Sequence, residues 1–307
     1  MDSANKQTAV VSEYPGGTTP ATPGFKLLRD IRVSGAPDRP ATRSPERRSD
    51  RMAANMTSGL YTFPKTIELP WARDAGTDVL WDVALCGTWQ SNVLKNGSAE
   101  LWFTLEERYE GGVTDPYRRL TGCRIDTTTI SFRNGQPGTV TFGIQAMAET
   151  AATSAIAGAT YAAPTPGHDP STPADILVND CFSISGAKIV NLDMTISNNL
   201  RAQHAWGASS PFGIGMGLFD VSGQVQLYFG ASTDYSAFMN RQTGRDFSIT
   251  VGAINAAKDV ILLPNCDVWN PDVDDPGATG DHMVTLNFMA RYDAGEGCAI
   301  KITRNAS

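Results

Sequence analysis

The sequence predicts a mainly β protein made of two tandem sandwich or barrel units, each with one α-helix on its flank. Two observations support this fold class. Short segments with alternating apolar and polar residues follow one another along most of the chain, as expected of strands with one buried face. Several of these segments also recur in the same order in the second half, which indicates a duplicated fold unit.

The first repeated block begins at a glycine and closes on aromatic residues. Gly59–Phe63 runs into Ile67–Trp71, and 158 positions later Gly217–Val221 runs into Val225–Phe229. Glycine, apolar positions and the closing aromatic residue keep their order. One fold unit that was duplicated and fused explains this order.

A second repeated block contains a paired Leu-x-x-Cys. Leu120–Ile125 leads to Val140–Phe142, and Leu263–Val268 leads to Val284–Leu286, at an offset of 143 or 144. General β alternation would explain the period of these segments. It would not explain the paired cysteine motif, so duplication is the preferred interpretation.

The length of 307 residues allows about two domains with cores of their own. We expect an N-terminal arm at 1–24, a first unit at 25–150, a linker with a short hairpin at 151–184 and a second unit at 185–307. The arm is rich in Gly, Pro and Thr, so a neighbouring molecule is expected to order it. The linker is rich in Ala, Thr and Pro before apolar residues resume at Ile176–Val178 and Phe182–Ile184.

Alternation places the strands of both units. In the first unit it predicts strands at Phe25–Leu27 with Ile31–Val33, Ala99–Tyr109, Cys123–Phe132 and Thr139–Met147. In the second unit it predicts Ile189–Ile196, Asp246–Val251, Val260–Leu263, Met283–Tyr292 and Ala299–Arg304. Ile189–Ile196 is the expected counterpart of this first strand, Phe25–Leu27 with Ile31–Val33.

Each unit is expected to carry one helix. Asp74–Leu85 has helical apolar spacing, with Thr77 or Asp78 as the predicted N-cap and Gly87 as the stop. Thr233–Asn240 shows a shorter version of the same pattern.

Composition and charge exclude several classes of protein. A formal net charge of −7 argues against a sequence-reading DNA-binding protein, which needs clustered Lys and Arg. No apolar run approaches the ~18 residues of a membrane span, and the start lacks a signal-peptide pattern. Five cysteines without close spacing favour reduced, buried thiols in a cytoplasm over a zinc site or a disulfide framework. We therefore expect a soluble protein without an export signal.

The sequence contains no local motif for catalysis or cofactor binding. His168, His204 and His282 are too scattered for a metal site, and neither a nucleophile elbow nor a Walker loop is present. We predict no catalytic, cofactor-binding or metal-binding residues and no cofactor.

Two groups of residues, a set of carboxylates and the tryptophans, allow a binding function as an alternative interpretation. The carboxylates Asp267, Asp272, Asp274, Asp275 and Asp281 have the ligand chemistry of a calcium loop, but EF-hand spacing is absent, and a solvated loop is preferred. The six tryptophans suggest a sugar-binding face, although most lie in alternating segments where aromatic residues fill the core. They are Trp71, Trp81, Trp89, Trp102, Trp206 and Trp269.

Taken in order, several segments resemble the tail tube proteins of long, non-contractile-tailed bacteriophages. They are Ser12–Thr22 with Pro23–Leu27, the charged loop Ser44–Asp50, Leu120–Cys123, Asn198–Arg201 with Gly207, and Met283–Asp293 with Ile302–Arg304. The resemblance covers most of the chain. It implies a structural virion protein without catalysis, whose β units form closed rings that stack into a hollow tube for DNA ejection.

The resemblance also implies partners. Two units per chain predict a homotrimeric, pseudo-hexameric ring, with a homohexamer as the alternative. The tape measure, tail terminator and distal tail proteins would meet the tube, DNA would pass without specific binding, and the protein would be made in the host cytoplasm. Acidic and neutral side chains would line the lumen, and the arm at 1–24 with the charged loop at 43–51 would bridge adjacent rings. A carbohydrate-binding β-sandwich on a virion or bacterial surface is the alternative function.

Overall fold

The computed structural model describes residues 6–52, 54–110, 116–164, 176–228, 230, 235, 238–252, 258–274 and 280–304. The protein is mainly β, as predicted. The strands of the first half are β1 Lys6–Glu13, β2 Gly24–Leu27, β3 Arg32–Ser34, β4 Ala41–Arg43, β5 Met56–Ser58, β6 Phe63–Pro70, β7 Val93–Lys95, β8 Trp102–Tyr109, β9 Tyr117–Arg133, β10 Thr139–Ala146, β11 Ala148–Ala152 and β12 Thr160–Ala162. Those of the second half are β13 Ile176–Cys181, β14 Ile189–Ser197, β15 Arg201–Gln203, β16 Gly213–Gly215, β17 Asp220–Tyr228, β18 Gln242–Val251, β19 Asp259–Asp274, β20 Met283–Ala290 and β21 Lys301–Arg304.

Eight strands form one continuous antiparallel ladder in the order β3-β6-β10-β9-β14-β17-β20-β19. We call this ladder the eight-strand sheet. Strands of the two halves meet in its middle, where β9 pairs with β14 over seven residue pairs. The halves of the chain therefore share one hydrogen-bonded surface.

The two longest strands, β9 and β19, each run out of the eight-strand sheet into a second layer. The first part of β9 pairs with β8 and β11, and the first part of β19 pairs with β18 and β21. β1 then extends β8, and β13 extends β18. The core lies between these layers.

Period-two alternation explains which side chains fill the core. β10 alternates between partly exposed and fully buried residues along its whole length, and β20 does so along most of its length. In the first half, Trp81 packs edge-on against Phe142 at 5.4 Å between ring centroids. In the second half, Phe288 packs against Phe182 and Phe247 at 5.5 and 5.8 Å. Each buried phenylalanine contributes about 2–3 kcal/mol through loss of apolar surface to water.

Helix α1 (Ala75–Leu85) packs mainly on β9 and β1. Its N-cap is Asp74, which accepts hydrogen bonds from the backbone N–H groups of Gly76 and Thr77 at 2.9 Å each. The sequence-based assignment of Thr77 or Asp78 was wrong, because the helix starts one turn earlier. Cys86, in a left-handed conformation, ends it. Of the predicted helix at Thr233–Asn240, the structure describes Tyr235 and residues 238–240, and Tyr235, Phe238 and Met239 are helical there.

Residues 6–13 belong to the chain's own sheet, whereas an arm ordered by a neighbour was expected over residues 1–24, of which residues 1–5 lie outside the described part. β1 pairs with β8 over eight residue pairs, and Ala9 and Val10 are buried. Glu13 then anchors the end of β1, because its carboxylate accepts hydrogen bonds from the N–H groups of Gly17 at 2.6 Å and Gly122 at 3.1 Å. Burial of one strand face outweighs the Gly, Pro and Thr composition that follows it.

The predicted linker at 151–184 also differs from expectation in its described part. Residues 160–162 form β12, which pairs in parallel with β2, and Ile176–Cys181 forms β13 against β18. The expected short hairpin is absent there, because Phe182 and Ser183 adopt positive φ angles of 55° and 62° and make a turn instead of a second strand. Residues 160–162 and Ile176–Cys181 thus form strands because distant strands pair with them, although their own sequences alternate weakly.

A buried ion cluster fastens β1 to the first core. The Glu107 carboxylate receives hydrogen bonds from Lys6 Nζ at 2.6 Å and Lys65 Nζ at 2.7 Å, and the side chains of Glu107 and Lys65 are 1% and 3% exposed. Burial alone would raise the pKa of Glu107, but the two ammonium groups outweigh it and hold the pKa below the ordinary value of 4.5. The ionised cluster therefore stabilises the native state.

We expect Lys65→Met to lower the free energy of unfolding by about 3 kcal/mol, because it leaves a buried carboxylate with one partner. Since the native pKa of Glu107 is lowered, its contribution is complete above pH 4.5 and is lost as pH falls through the native value. Urea denaturation of the unassembled chain from pH 3 to pH 7 measures both effects.

The matched control is Lys95→Met, which removes an exposed partner of Glu296 and should cost less than ~1 kcal/mol. Equal losses for the two variants would contradict the assignment.

Candidate functional site: a polar sheet face with two unpaired edges

The face of the eight-strand sheet that points away from the core is mainly polar over its central strands, with Tyr228, Met283 and Met289 as apolar or aromatic positions towards the β17–β20 side. Hydrogen-bonded registers place hydroxyl and amide side chains in rows across it. One such row is Thr141, Thr129, Thr195 and Ser222, and the next is Thr139, Ser131, Asp193, Gln224 and Asn287. Period-two alternation makes this face as continuous as the core face.

Side chains hydrogen-bond across the middle of this face. Ser131 Oγ donates to Asp193 Oδ1 at 2.6 Å, and the Arg133 guanidinium lies 2.8 Å from Asp193 Oδ2. The Asn191 amide donates to Gln226 Oε1 at 2.6 Å. These bonds join β9, β14 and β17, so side chains reinforce the backbone ladder between the halves.

Charge on this face is sparse and leans negative. Among the described residues of the central rows and the two edges, the outward-facing cations are Arg32 at one margin and Arg133, which is paired with Asp193. The carboxylates there are Glu68, Asp193, Asp220, Asp272 and Asp274. Arg124, Asp126 and Asp267 lie on the same side but already have partners within the chain. Such a surface gives a polyanion few cations to bind.

The sheet ends in two edges that have no strand beside them within the described residues. β3 pairs with β6 on one side alone. β19 pairs with β20 through Asp274, whereas its pairing with β18 stops at Val268. Both edges expose backbone groups that can pair with another chain.

The carboxylates for which calcium binding was the alternative to a solvated loop do not form a cation site among the residues that the structure describes. Asp267 is buried and forms ion pairs with Arg241 and Arg291, while Asp272 and Asp274 belong to β19. Asp281 is exposed, and Asp275 lies outside the described residues. No group of three or more potential metal ligands occurs in the described part of the chain.

The histidines and tryptophans are dispersed. His204 and His282 lie on separate segments, and His168 falls outside the described residues. Trp71 and Trp81 are in the core, as expected, and Trp89 and Trp102 are covered by Arg304 and Arg124. Trp206 is fully exposed on a turn, and Trp269 lines an open pocket with Arg241 and Asp267.

All five cysteines are free and buried, as the sequence predicted. Burial raises the pKa of the Cys181 and Cys266 thiols to about 12 and that of Cys123 well above its usual value. These thiols are therefore protonated at neutral pH and unreactive.

Sequence reasoning missed Ser131, Arg133 and Asp193 as a group. Each lies at an outward position of an alternating segment, and the periodicity identified that position. The periodicity did not show which strand lies beside β9, because the pairing of β9 with β14 joins residues about 60 positions apart in the sequence.

Comparison with known proteins agrees with this architecture. Among the described residues, no helix has both the length and the apolar character that a membrane span requires.

A search of curated proteins found no match. The family model described as "Phage tail tube protein" matches residues 4–290, which is most of the chain. The chain therefore belongs to the phage tail tube protein family, structural components of the virion that self-assemble into the tube of the tail.

Proposed function

We propose that this protein forms closed rings that stack into the hollow tube of a long, non-contractile phage tail, through which DNA leaves the capsid. The eight-strand sheet supports the proposal most strongly, because it combines a mainly polar face with an edge at either end that no strand of the described residues covers. Copies joined head to tail through such edges close into a ring. The polar face then becomes the lumen.

We also propose that the chain arose by duplication, with two tube units at 25–150 and 185–307. The pairing order β3-β6-β10-β9-β8-β1 of the first half has its counterpart in β14-β17-β20-β19-β18-β13 of the second. The repeated sequence blocks fall on matching strands of these two series.

Register gives finer support to the duplication. Val140 lies opposite Leu69 on β6, and its sequence counterpart Val284 lies opposite Leu227 on β17. The paired cysteine motif agrees as well, because Cys123 and Cys266 both direct Sγ to the backbone oxygen three residues earlier, at 3.4 and 3.9 Å. Convergent alternation would not be expected to align these details.

Strand spacing favours three copies in the ring. Eight strands from each of three copies make 24, and at ~4.8 Å per strand the circumference is ~115 Å and the backbone diameter ~37 Å before strand tilt widens it. Side chains occupy ~5 Å on each side, which leaves ~27 Å for the lumen. Two copies would leave only ~14 Å, too narrow for a DNA double helix, and six would give a backbone diameter of ~73 Å.

The lumen would let DNA slide rather than bind. Affinity for DNA grows with the number of phosphates that cations neutralise, and the central rows offer hydroxyl, amide and carboxylate groups instead. The tape measure protein inside the tube and the terminator and distal tail proteins at its ends are the partners that this function implies. The chain would be made in the cytoplasm of the host bacterium and reside in the virion.

A carbohydrate-binding β-sandwich is the alternative function. Trp269 beside Arg241 and Asp267 in an open pocket is the observation that favours it. Measurable affinity of the purified chain for glycans, together with an absence of filaments in negative stain, would support it over the tube.

Cryo-electron microscopy of assembled tubes should show rings of three chains with pseudo-sixfold symmetry, because each chain contributes two related units. The measurement is the number of chains per ring in the averaged map. Six chains related by a true sixfold axis would refute the trimer, and a lumen lined with Lys and Arg would refute the sliding surface.

The triple substitution Thr129→Lys, Thr195→Lys and Gln224→Lys should make tubes retain DNA, because it places cations on adjacent strands of the polar face. DNA co-sedimentation with tubes should rise at low salt and fall steeply with added salt, by a log–log slope of about −0.9 for each phosphate contacted. Ser98→Lys, Ala99→Lys and Thr153→Lys form the matched control, since they add equal charge at exposed positions outside the eight-strand sheet. Equal retention by both variants would count against a lumenal position of the polar face.

A further inference from the structure

We propose that the end of β19 in one copy, residues 270–274, lies antiparallel to the end of β3 and the residues after it, 34–38, in a second copy, in the register that places Asp274 opposite Ser34. We propose also that the β4–β5 hairpin of the second copy fills the pocket beside Trp269. We call this contact the external joint. It rests on the proposed ring and names the residues that close it. The template is the pairing of β9 with β14 inside one chain, the internal joint.

Pairing on the neighbouring strand locates the residues of β19. Val273 lies opposite Val284 on β20, just as Ile130 of β9 lies opposite Val140 on β10. Asp274 is therefore the counterpart of Ser131, which follows Ile130 on β9. Ser131 is the residue of β9 that bonds to Asp193 across the internal joint.

The same reasoning locates the residues of β3. Val33 lies opposite Ile67 on β6, just as Leu192 of β14 lies opposite Val225 on β17. Ser34 is therefore the counterpart of Asp193, which follows Leu192 on β14. In the internal joint, Asp193 lies directly opposite Ser131.

The two joints have complementary chemistry with the partners exchanged. In the internal joint, β9 supplies a serine and an arginine, and β14 supplies the aspartate that binds both. In the external joint, β19 supplies the aspartate, Asp274, and β3 supplies Ser34 with Arg32 two residues away. With both partners exchanged in this way, the external joint could form the same serine–aspartate hydrogen bond and arginine–aspartate ion pair.

Exposure of the apolar side chains also indicates that a neighbour is missing. Ile130 is completely buried beside β14, whereas its counterpart Val273 is 37% exposed. Ile214, on the β15–β16 hairpin, is 3% exposed, whereas Met56, 158 positions earlier on the β4–β5 hairpin, is 61% exposed. The second copy would cover both exposed residues.

The β15–β16 hairpin shows how a hairpin covers the internal joint. Arg124 Nη1 donates to the backbone oxygen of Ile214 at 2.9 Å, and Cys86 Sγ lies 3.6 Å from Met216 Sδ. At the base of the hairpin, the Asn198 amide donates to the backbone oxygens of Ala84 and Ile125 at 2.9 and 2.8 Å. A hairpin from the second half thus docks on the first half.

The two hairpins begin and end alike. Gly59 N–H donates to the backbone oxygen of Pro40 at 2.6 Å, and Gly217 N–H donates to that of Asn198 at 3.0 Å, with both members of the pair 158 positions apart. The β4–β5 hairpin, however, is exposed along both of its strands. It resembles the β15–β16 hairpin in form, but within the described residues its strands pack against no other part of the chain.

The open pocket beside Trp269 stands where the first half receives its hairpin. It measures about 480 Å³ and is lined by Met239, Arg241, Asp267, Trp269, Asn270 and Met289. Asp267 and Trp269 are the sequence counterparts of Arg124 and Asp126, which bind the β15–β16 hairpin. Methionine side chains adapt readily to an apolar partner, and Met56 and Met52 on the hairpin provide one.

Paired cysteines test the register of the external joint. In tubes of the Asp274→Cys, Ser34→Cys double variant, mild oxidation or a short bis-thiol reagent should link chains into covalent closed trimers, seen by denaturing electrophoresis. Directly opposite residues on paired strands bring Cβ atoms to ~4.5–5.5 Å. The native thiols are buried and give little background.

Two further pairs serve as controls. Ser131→Cys with Asp193→Cys reproduces the internal joint and should link within one chain, whereas Asp272→Cys with Ser34→Cys is out of register and should link weakly. If both double variants form normal tubes and the internal pair links efficiently but the Asp274→Cys, Ser34→Cys pair does not, the register alone is overturned. Failure of the wild-type chain to form rings or tubes would overturn the proposed function and this inference with it.

Met56→Asp tests the hairpin. It should raise the protein concentration needed for ring closure about tenfold or more, because it buries a carboxylate against Met289 and Trp269. The unassembled variant should keep the wild-type unfolding transition, since Met56 is exposed in a single chain. Intact rings that no longer stack would show instead that the hairpin contacts an adjacent ring, and wild-type assembly would refute the docking site.

Discussion

The pairing of β9 with β14 is the constraint on which the rest of this structure depends. It turns two small sheets into one ladder of eight strands, and it protects two edges that would otherwise be open to unspecific pairing. Register within the ladder also fixes which residues face away from the core, because a slip of one residue would invert both faces. The polar face and the positions of the two remaining edges follow from this one contact.

Charged groups are distributed differently on the two sides of the sheet. Ion pairs that are largely shielded from water, such as Lys65–Glu107 and Arg304–Asp78, link strands and helix around the core. The outer face of the sheet holds mainly hydroxyl and amide groups. Stability and surface chemistry are thereby separated, so the face can remain weakly interacting without loss of the contacts that hold the fold.

The sequence predicted the features that depend on local periodicity. Alternation located the central strands, and the repeated blocks fell on strands that pair in the same order, such as Val140 opposite Leu69 and Val284 opposite Leu227. Features set by distant partners were missed. β1 was assigned to an arm although Val10 is buried against β8, and the acidic segment that begins at Asp267 was assigned to a loop although most of its described part is strand. The polar site required knowledge of which strand lies beside β9, and no local pattern contains that information.

The distribution of Ser131 and Arg133 on β9, Asp193 on β14 and Asp274 on β19 has a consequence for fidelity of assembly. An edge of β19 that met β14 of another chain would set Asp274 against Asp193, and two carboxylates in one strand pair repel. An edge of β9 that met β3 would set Arg133 beside Arg32. In the proposed ring, mispairing in either direction would thus bring like charges together, which would favour an arrangement in which the two halves alternate around the circle.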